Sequence, residues 1–206
     1  DIAEVRDQPH VTETADSFPL IETAHGDVLL LWDTPGFGDS ARLLKRLKQS
    51  GNPLGWFLTQ VWDRHVDRPF FSSQQAIRNV RDEADVVLYL VNAGEDPASA
   101  GYVDAEMQVL GWIAKPTIVL LNQLGPPRPA DEERADVSRW ATHLAAYPWV
   151  CDTIAFDAFA RCWVLEHRLL DSIGDVLPAD RQAGFSRLAD AWRTRNRVTF
   201  EQSMRI

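Results

Sequence analysis

Hydrophobic residues in this chain occur in short continuous runs and in longer stretches with helical spacing. Continuous runs flanked by turn residues are typical of strands, and they are found at residues 18–24, 28–32, 85–93, 117–121 and 153–156. An unbroken apolar run such as 28–32 predicts a strand buried on both faces of a parallel sheet. His25-Gly26-Asp27 forms a turn signal between the first two runs, which predicts that they make a hairpin.

The stretches with helical spacing predict a helix after most of the strands. Between the second and third strands the chain carries three of them, and Pro69 is expected to end the second while Ser72 and Ser73 cap the third. This alternation of strands and helices predicts an α/β fold with helices on both faces of the sheet. The predicted helices cover residues 40–50, 53–68, 72–84, 103–114, 131–146, 158–177 and 180–206.

Composition limits the classes of protein to which the chain can belong. Its net charge of −9 and pI near 5.0 argue against a general nucleic-acid binder, which has a basic surface. Cys151 and Cys162 come without a secretory segment, which indicates a reducing cytoplasm and free thiols. No apolar run approaches the ~18 residues of a membrane span. We therefore expect a cytoplasmic globular protein.

Polar motifs follow three of the predicted strands directly. Asp33-Thr34-Pro35-Gly36 follows the strand at 28–32, Asn122-Gln123-Leu124-Gly125 follows 117–121, and Asp157-Ala158 follows 153–156. Thr12 lies in the polar, aperiodic segment before the first strand. Open α/β sheets bind ligands at the carboxyl ends of their strands, so these motifs predict a ligand site.

In their order and spacing these four elements resemble the Era-like family of P-loop GTPases. The Asn-Gln-x-Gly motif and residues 157–163 are similar to a bacterial branch of that family with a C-terminal domain of unknown function. The resemblance covers residues 1–178 and implies a Ras-like, mostly parallel sheet. Residues 37–84 are then a helical insertion, and residues 179–206 begin a further helical region.

The resemblance implies a GTP-binding molecular switch that hydrolyses GTP with magnesium. Thr12 and Asp33 would be on the magnesium side, and Thr12 and Gly36 would face the γ-phosphate as catalytic residues. Asn122 and Gln123 would contact the base, with backbone contacts near its carbonyl oxygen at Asp157 and Ala158. The nucleotide-binding residues implied in this way are Asp33, Thr34, Pro35, Gly36, Asn122, Gln123, Asp157 and Ala158.

Three departures from the family pattern alter this expectation. Gln123 replaces a Lys, and Gly125 replaces the Asp whose carboxylate reads guanine, a loss on the order of 2–3 kcal/mol in discrimination against adenine. Phe37 stands where Ras-type enzymes carry a water-orienting Gln, which predicts slow turnover or a catalytic group from elsewhere. Two alternatives stay open: an ATP-preferring hydrolase, or a degenerate interaction module that binds no nucleotide.

The phosphate-binding motif Gly-x-x-x-x-Gly-Lys-Ser/Thr occurs nowhere in the 206 residues. We expect it before Asp1, on a strand that lies between the strands ending at Asp33 and Asn92, so that residues 1–206 alone are inactive. The described structure should then have a gap of two strand spacings, about 10 Å, between these two strands. A hydrogen-bonded ladder between them would contradict this expectation.

Two surfaces are candidates for partner binding beyond GTP and GDP. The insertion at 37–84 is rich in aromatic residues that either form a protein-binding surface or pack against the rest of the domain: Trp56, Phe57, Trp62, Phe70 and Phe71. The helix at 180–206 has an arginine-rich face that is either solvated or contacts anionic lipid or an acidic partner. The second alternative would add peripheral membrane contact to a cytoplasmic protein. The arginines are Arg181, Arg187, Arg193, Arg195, Arg197 and Arg205.

Overall fold

The computed structural model describes residues 16–34, 36–37, 39–60, 67–157 and 163–204. Five strands and seven helices lie in these ranges. The strands are β1 (Asp16–Glu22), β2 (Val28–Asp33), β3 (Val87–Asn92), β4 (Thr117–Asn122) and β5 (Val150–Ala155). The helices are α1 (Ser40–Leu47), α2 (Pro53–Thr59), α3 (Arg68–Glu83), α4 (Gly101–Ile113), α5 (Ala130–Leu144), α6 (Trp163–Val176) and α7 (Ala179–Ser203).

The strands form two sheets. β3, β4 and β5 make a parallel sheet in that order, with the helices α4 and α5 as the connections. β1 and β2 make an antiparallel hairpin whose turn is closed by a hydrogen bond from the Thr23 amide to the Asp27 carbonyl at 3.0 Å. The predicted α/β class, the parallel sheet and the hairpin are therefore confirmed.

In the described part of the chain, β2 and β3 are not hydrogen-bonded to each other. The strands that end at Asp33 and Asn92 thus share no ladder, as the expected gap requires, and its width of about 10 Å stays a prediction. The prediction of a strand buried on both faces is wrong for β2, where Val28, Leu30 and Leu31 are 40–47% exposed. A strand is covered by its neighbours as well as by helices, and among the described strands β2 is paired with β1 alone.

The largest core lies on one face of the parallel sheet. Val91, Val119 and Leu121 point from the strands into a cluster with α1, α4 and α5. Phe57 and Phe70 of the insertion are buried in the same cluster, so the packing alternative is right for these two aromatic residues. Helix residues that are almost fully buried in this core are Leu43, Leu47, Ile77, Val103, Met107, Leu110, Trp140 and Leu144.

Helix α6 covers the opposite face of the parallel sheet. Ile118, Leu120 and Ile154 are buried there against side chains of α6, among them Leu169 and Ile173. Helices therefore lie on both faces of the sheet, as the alternating pattern predicts. On this face Leu90 of β3 is 59% exposed, because α6 packs over the other two strands more fully.

The start of α3 differs from the predicted one. The helix begins at Arg68 after Asp67, and Pro69 lies in its first turn, where a missing N–H group costs nothing. The prediction that Ser72 and Ser73 cap this helix is wrong, since both lie within it. Ser73 is buried, and its hydroxyl donates to the Phe37 carbonyl at 2.6 Å. A supposed capping residue thus fixes the chain that follows β2.

Helix α7 contacts both sheets. Arg187 donates two hydrogen bonds of 2.7 Å to the Asp27 carboxylate at the start of β2, and Arg181 lies 3.9 Å from Asp85, which precedes β3. Apolar side chains of α7 also pack with Leu29 of β2 and with α6. These contacts hold the hairpin beside the parallel sheet without a strand ladder.

The arginines of α7 are largely used within the chain. Arg193 pairs with Asp171 and Asp190 in addition to the two ion pairs just described, and Arg195 donates to the Leu20 carbonyl at 3.3 Å. Farther along, Phe200 and Met204 are 61% and 72% exposed. Among the described helices, none has the long apolar stretch that a bilayer crossing requires.

Replacing Asp27 by Asn should lower the melting temperature at neutral pH. Hydrogen bonds from Arg187 and Thr23 lower the pKa of Asp27 to about 2, from an ordinary value near 3.8. The charged carboxylate therefore stabilises the fold above about pH 4, and this contribution disappears as the pH falls through about 2. Melting curves across this range should show the difference between wild type and D27N narrowing in acid.

The matched control for this experiment is Asp175→Asn, which removes an exposed carboxylate of α6. It should leave the melting temperature nearly unchanged at every pH. An Asp27→Asn variant that behaves like this control would show that the ion pair does not hold the hairpin.

Candidate functional site

The carboxyl ends of the three parallel strands are aligned at one edge of the sheet. Asn92 of β3 and Asn122 of β4 are register partners. The alignment continues past the strands, because the Ala93 amide donates to the Asn122 carbonyl at 2.8 Å and the Phe156 amide donates to the Leu121 carbonyl at 2.9 Å. The loops that carry the predicted base-side residues therefore leave the sheet together.

The loop after β4 is tightly turned. Gln123 and Gly125 both have left-handed backbone angles, with φ of 57° and 79°. This conformation favours glycine, which is consistent with Gly125 at this position. The Gln123 side chain is exposed. The loop thus presents a long polar side chain and lacks a carboxylate at Gly125.

Asp157 braces this loop from the end of β5. Its side chain is 7% exposed, and its Oδ2 accepts a hydrogen bond from the Leu124 amide at 2.9 Å. Sequence reasoning assigned only backbone contacts to this position and missed the role of the carboxylate. The signal for this role is an acidic residue directly after a buried strand, at a position where the Era-like motif has a Ser.

The loop after β3 packs against the loop after β4. Asn92 accepts from the Gly94 amide at 2.9 Å and donates to Glu95 at 3.3 Å, which closes the turn. A Cβ atom at Gly94 would lie 3.2 Å from the Asn92 Oδ1 and 3.7 Å from the Gln123 carbonyl oxygen. A larger residue at Gly94 would therefore crowd the Asn92 side chain and would touch the loop after β4 at ordinary van der Waals distance, so the two loops lie close together.

The predicted phosphate-side residues lie in the other sheet. Asp33 is the last residue of β2 and is half-buried, as is Thr34. Gly36 is exposed, and a Cβ atom there would meet no heavy atom within 4 Å. The structure thus brings Asn122, Gln123 and Asp157 together but places Asp33, Thr34 and Gly36 in a second group. Thr12, Pro35 and Ala158 lie outside the described residues.

Phe37 links the second group to the parallel sheet. Its side chain is buried in the large core, which also contains Val91 and Ala93 at the end of β3. Its carbonyl oxygen accepts the hydrogen bond from Ser73. Phe37, which stands where Ras-type enzymes have a water-orienting Gln, therefore anchors the chain after Gly36 in the core.

A buried polar cluster fixes the start of α1 just beyond this anchor. Tyr89 of β3 donates to the Glu106 carboxylate at 2.5 Å, and the Ser40 hydroxyl also hydrogen-bonds Glu106. Burial raises the pKa of Glu106, and burial together with the nearby carboxylate raises the pKa of Tyr89. Sequence reasoning missed this cluster, although Glu106 lies on the same helix face as Val103 and Leu110.

The residues present are compatible with one kind of magnesium site. The described ranges contain no cluster of three or more His, Cys, Asp or Glu side chains that could hold an ion alone. Magnesium, however, is usually bound through one or two carboxylates, with water and phosphate oxygens completing the octahedron. Asp33, a half-buried carboxylate at the end of a strand, fits that arrangement.

Comparison of the chain with family models, curated proteins and solved structures found no similar protein. The likeness to Era-like GTPases accordingly stays a prediction from the motifs.

Replacing Glu106 by Gln should raise the melting temperature at neutral and alkaline pH. Because burial raises the pKa of Glu106, the wild-type fold loses stability as the pH rises from about 4.5 through the folded-state pKa. Gln keeps an oxygen that accepts from Tyr89 and carries no charge, so its melting temperature should lack that decline. Exposed Glu83→Gln is the control, and an identical pH profile for wild type and E106Q would contradict the prediction.

Replacing Asp157 by Ala should destabilise the protein by about 1–3 kcal/mol, because the Leu124 amide loses its acceptor in a poorly solvated place. Asp157→Asn keeps an acceptor oxygen and should cost clearly less. Urea unfolding measures both values, and hydrogen exchange at the Leu124 amide should accelerate only in the Ala variant. Equal losses in the two variants would show that the hydrogen bond is not what Asp157 contributes.

Proposed function

We propose that this chain is the larger part of an Era-like GTPase, which binds GTP with magnesium and hydrolyses it as a molecular switch. The observation that carries the proposal is the interruption between β2 and β3 in the described structure. In a Ras-like sheet, the strand that bears the phosphate-binding loop lies between the strands these two resemble. Among the described strands, β2 is paired only with β1 and β3 only with β4, and Leu30, Leu31 and Leu90 are exposed, which supports a place for one more strand between β2 and β3.

The base would lie against the loops at the carboxyl edge of the parallel sheet. Asn122 would bond the purine N7 edge, and the aliphatic stem of exposed Gln123 would lie on the ring. Asp157 would act through the loop, since its carboxylate holds the Leu124 amide. Backbone amides after β5 would reach the guanine carbonyl oxygen.

The phosphates would lie toward Asp33, Thr34 and Gly36. Asp33 would hold magnesium, with Thr12 as the second protein ligand, and the magnesium ion would neutralise charge on the phosphate oxygens. Gly36 leaves open space beside its backbone, which suits an amide that faces a γ-phosphate. Because Phe37 is buried, the chain offers no water-orienting group at that position, and slow turnover is the expected consequence.

Two alternatives follow from the loop after β4. Gly125 supplies no carboxylate, and the Asp157 carboxylate already accepts a hydrogen bond from a backbone amide. Guanine therefore lacks the charged acceptor for its ring NH and amino groups. The site could then accept ATP as readily as GTP. If the phosphates are not held either, the chain is an interaction module without a nucleotide.

Calorimetry of the full-length protein with GTP and with ATP, in magnesium buffer, separates the three functions. Preference for GTP supports the proposal, and equal affinity identifies a less specific hydrolase. Absence of binding by both nucleotides would overturn the proposal in favour of the interaction module.

Replacing Asp33 by Asn in the full-length protein should reduce magnesium-dependent GTP hydrolysis by about 10–100-fold, because a neutral amide binds the cation or its water poorly. Binding measured with EDTA present should change little. Asp175→Asn is the matched control and should retain wild-type activity. A D33N variant with unchanged magnesium dependence would remove Asp33 from the metal site.

A further inference from the structure

A groove of about 380 Å³ lies on the insertion, between α1 and α3. We call it the α1 groove, and its lining residues are Arg42, Lys45, Arg46, Gln49, Asp67 and Phe70. Three of these side chains are cationic, and they come from two successive turns of one helix face. The α1 groove therefore combines a defined hollow with concentrated positive charge.

The charge of the α1 groove is not balanced by the chain itself. Residues 42–48 contain four Lys or Arg and no Asp or Glu, although the whole chain has a net charge of −9. Arg42 pairs with Asp67 at 3.0 Å, but within the described ranges neither Lys45 nor Arg46 has a carboxylate partner. On helix α7, by comparison, three of the arginines are paired with carboxylates: Arg181, Arg187 and Arg193.

Aromatic rings hold the arginines of the α1 groove in place. The Arg42 guanidinium lies 4.5 Å from the centre of the Phe70 ring, and the Arg46 guanidinium lies 5.4 Å from the centre of the Trp56 ring. Stacking of this kind stabilises an extended side-chain position and reduces the rotamer entropy lost on binding. The cations are thus partly ordered before any ligand arrives.

The groove already receives one carboxylate. Asp67 accepts from both terminal nitrogens of Arg42, at 3.0 and 3.5 Å, which is the fork-like geometry that arginine uses for carboxylates. The cationic row from Arg42 to Arg46 is about 6 Å long at 1.5 Å per helical residue. One phosphate group is smaller than this spacing, which matches two carboxylates at alternating positions of an extended peptide, about 6.6 Å apart.

We propose that the α1 groove binds an acidic segment of a partner protein in an extended conformation. One carboxylate of the segment pairs with Lys45 and Arg46, and a second carboxylate two residues away competes with Asp67 for Arg42. Nucleic acid and anionic membranes are large and would also face the acidic remainder of the chain, which repels them. A short acidic peptide can contact the cationic patch alone, so it reaches the patch more easily than these larger anions do. This binding does not depend on nucleotide.

The test uses the whole chain and a fluorescein-labelled synthetic peptide in which Glu alternates with Ala. Fluorescence anisotropy should show saturable binding at low ionic strength that weakens as salt is added. Lys45→Glu with Arg46→Glu should raise the dissociation constant at least about tenfold. The matched control is Arg134→Glu with Arg168→Glu, which changes the net charge by the same amount but on α5 and α6. It should raise the dissociation constant less than about twofold.

A second variant tests the proposal in the opposite direction. Asp67→Asn removes the resident carboxylate but retains a good residue before the first turn of α3, so it should tighten peptide binding. This result decides the question even if the charge-reversed variant unfolds. No change in affinity for D67N, or equal losses in the two double variants, would overturn the proposal.

A membrane arm identifies the main competing ligand. Vesicles of phosphatidylcholine with phosphatidylserine should not sediment the chain under the same conditions. Vesicle binding that requires Lys45 and Arg46, together with no binding of the Glu-containing peptide, would make the α1 groove a lipid contact and overturn the proposal.

Discussion

The structure depends on how the hairpin is held, because the described residues of β2 and β3 share no strand ladder. A free edge leaves backbone N–H and C=O groups without sheet partners, and it leaves neighbouring apolar side chains uncovered. Here the hairpin relies on α7, through the Asp27–Arg187 ion pair and the packing of Leu29 with Phe185. One ion pair and one apolar patch give less cooperative support than a hydrogen-bonded ladder, so the hairpin is held less firmly than a strand within the parallel sheet.

The exit from the hairpin is fixed much more firmly than β2 itself. Phe37 is buried beside the end of β3, Ser73 bonds its carbonyl, and Ser40 joins the buried Glu106–Tyr89 pair. The segment from Asp33 to Phe37 therefore connects a loosely held strand to a tightly packed core. In the proposed function, Asp33 and Gly36 of that segment would face the phosphates.

The strand order along the chain was predictable because continuous apolar runs and short turns are local signals, and each of the five described strands overlaps a predicted run, although β5 begins three residues earlier. Burial was not predictable for β2, since an apolar run cannot reveal whether a neighbouring strand is present. The partners of Asp157, Glu106 and Arg187 could not be predicted either, because each is supplied by another element. Asp27 and Arg187 are 160 residues apart, and no periodicity relates them.

The two basic helices show why charge counts alone do not identify a binding surface. Sequence reasoning offered two candidate surfaces, the 37–84 insertion and the arginine-rich face of α7. On α7, Arg181, Arg187 and Arg193 are paired with carboxylates of the chain. On α1, which has fewer cations, Lys45 and Arg46 lie beside a groove without such partners in the described ranges. The electrostatic potential at a surface depends on how its charges are paired as well as on their number. Because α1 begins at Ser40 and packs in the same core as Phe37, the α1 groove and the chain that follows Asp33 are joined to the same hydrophobic core.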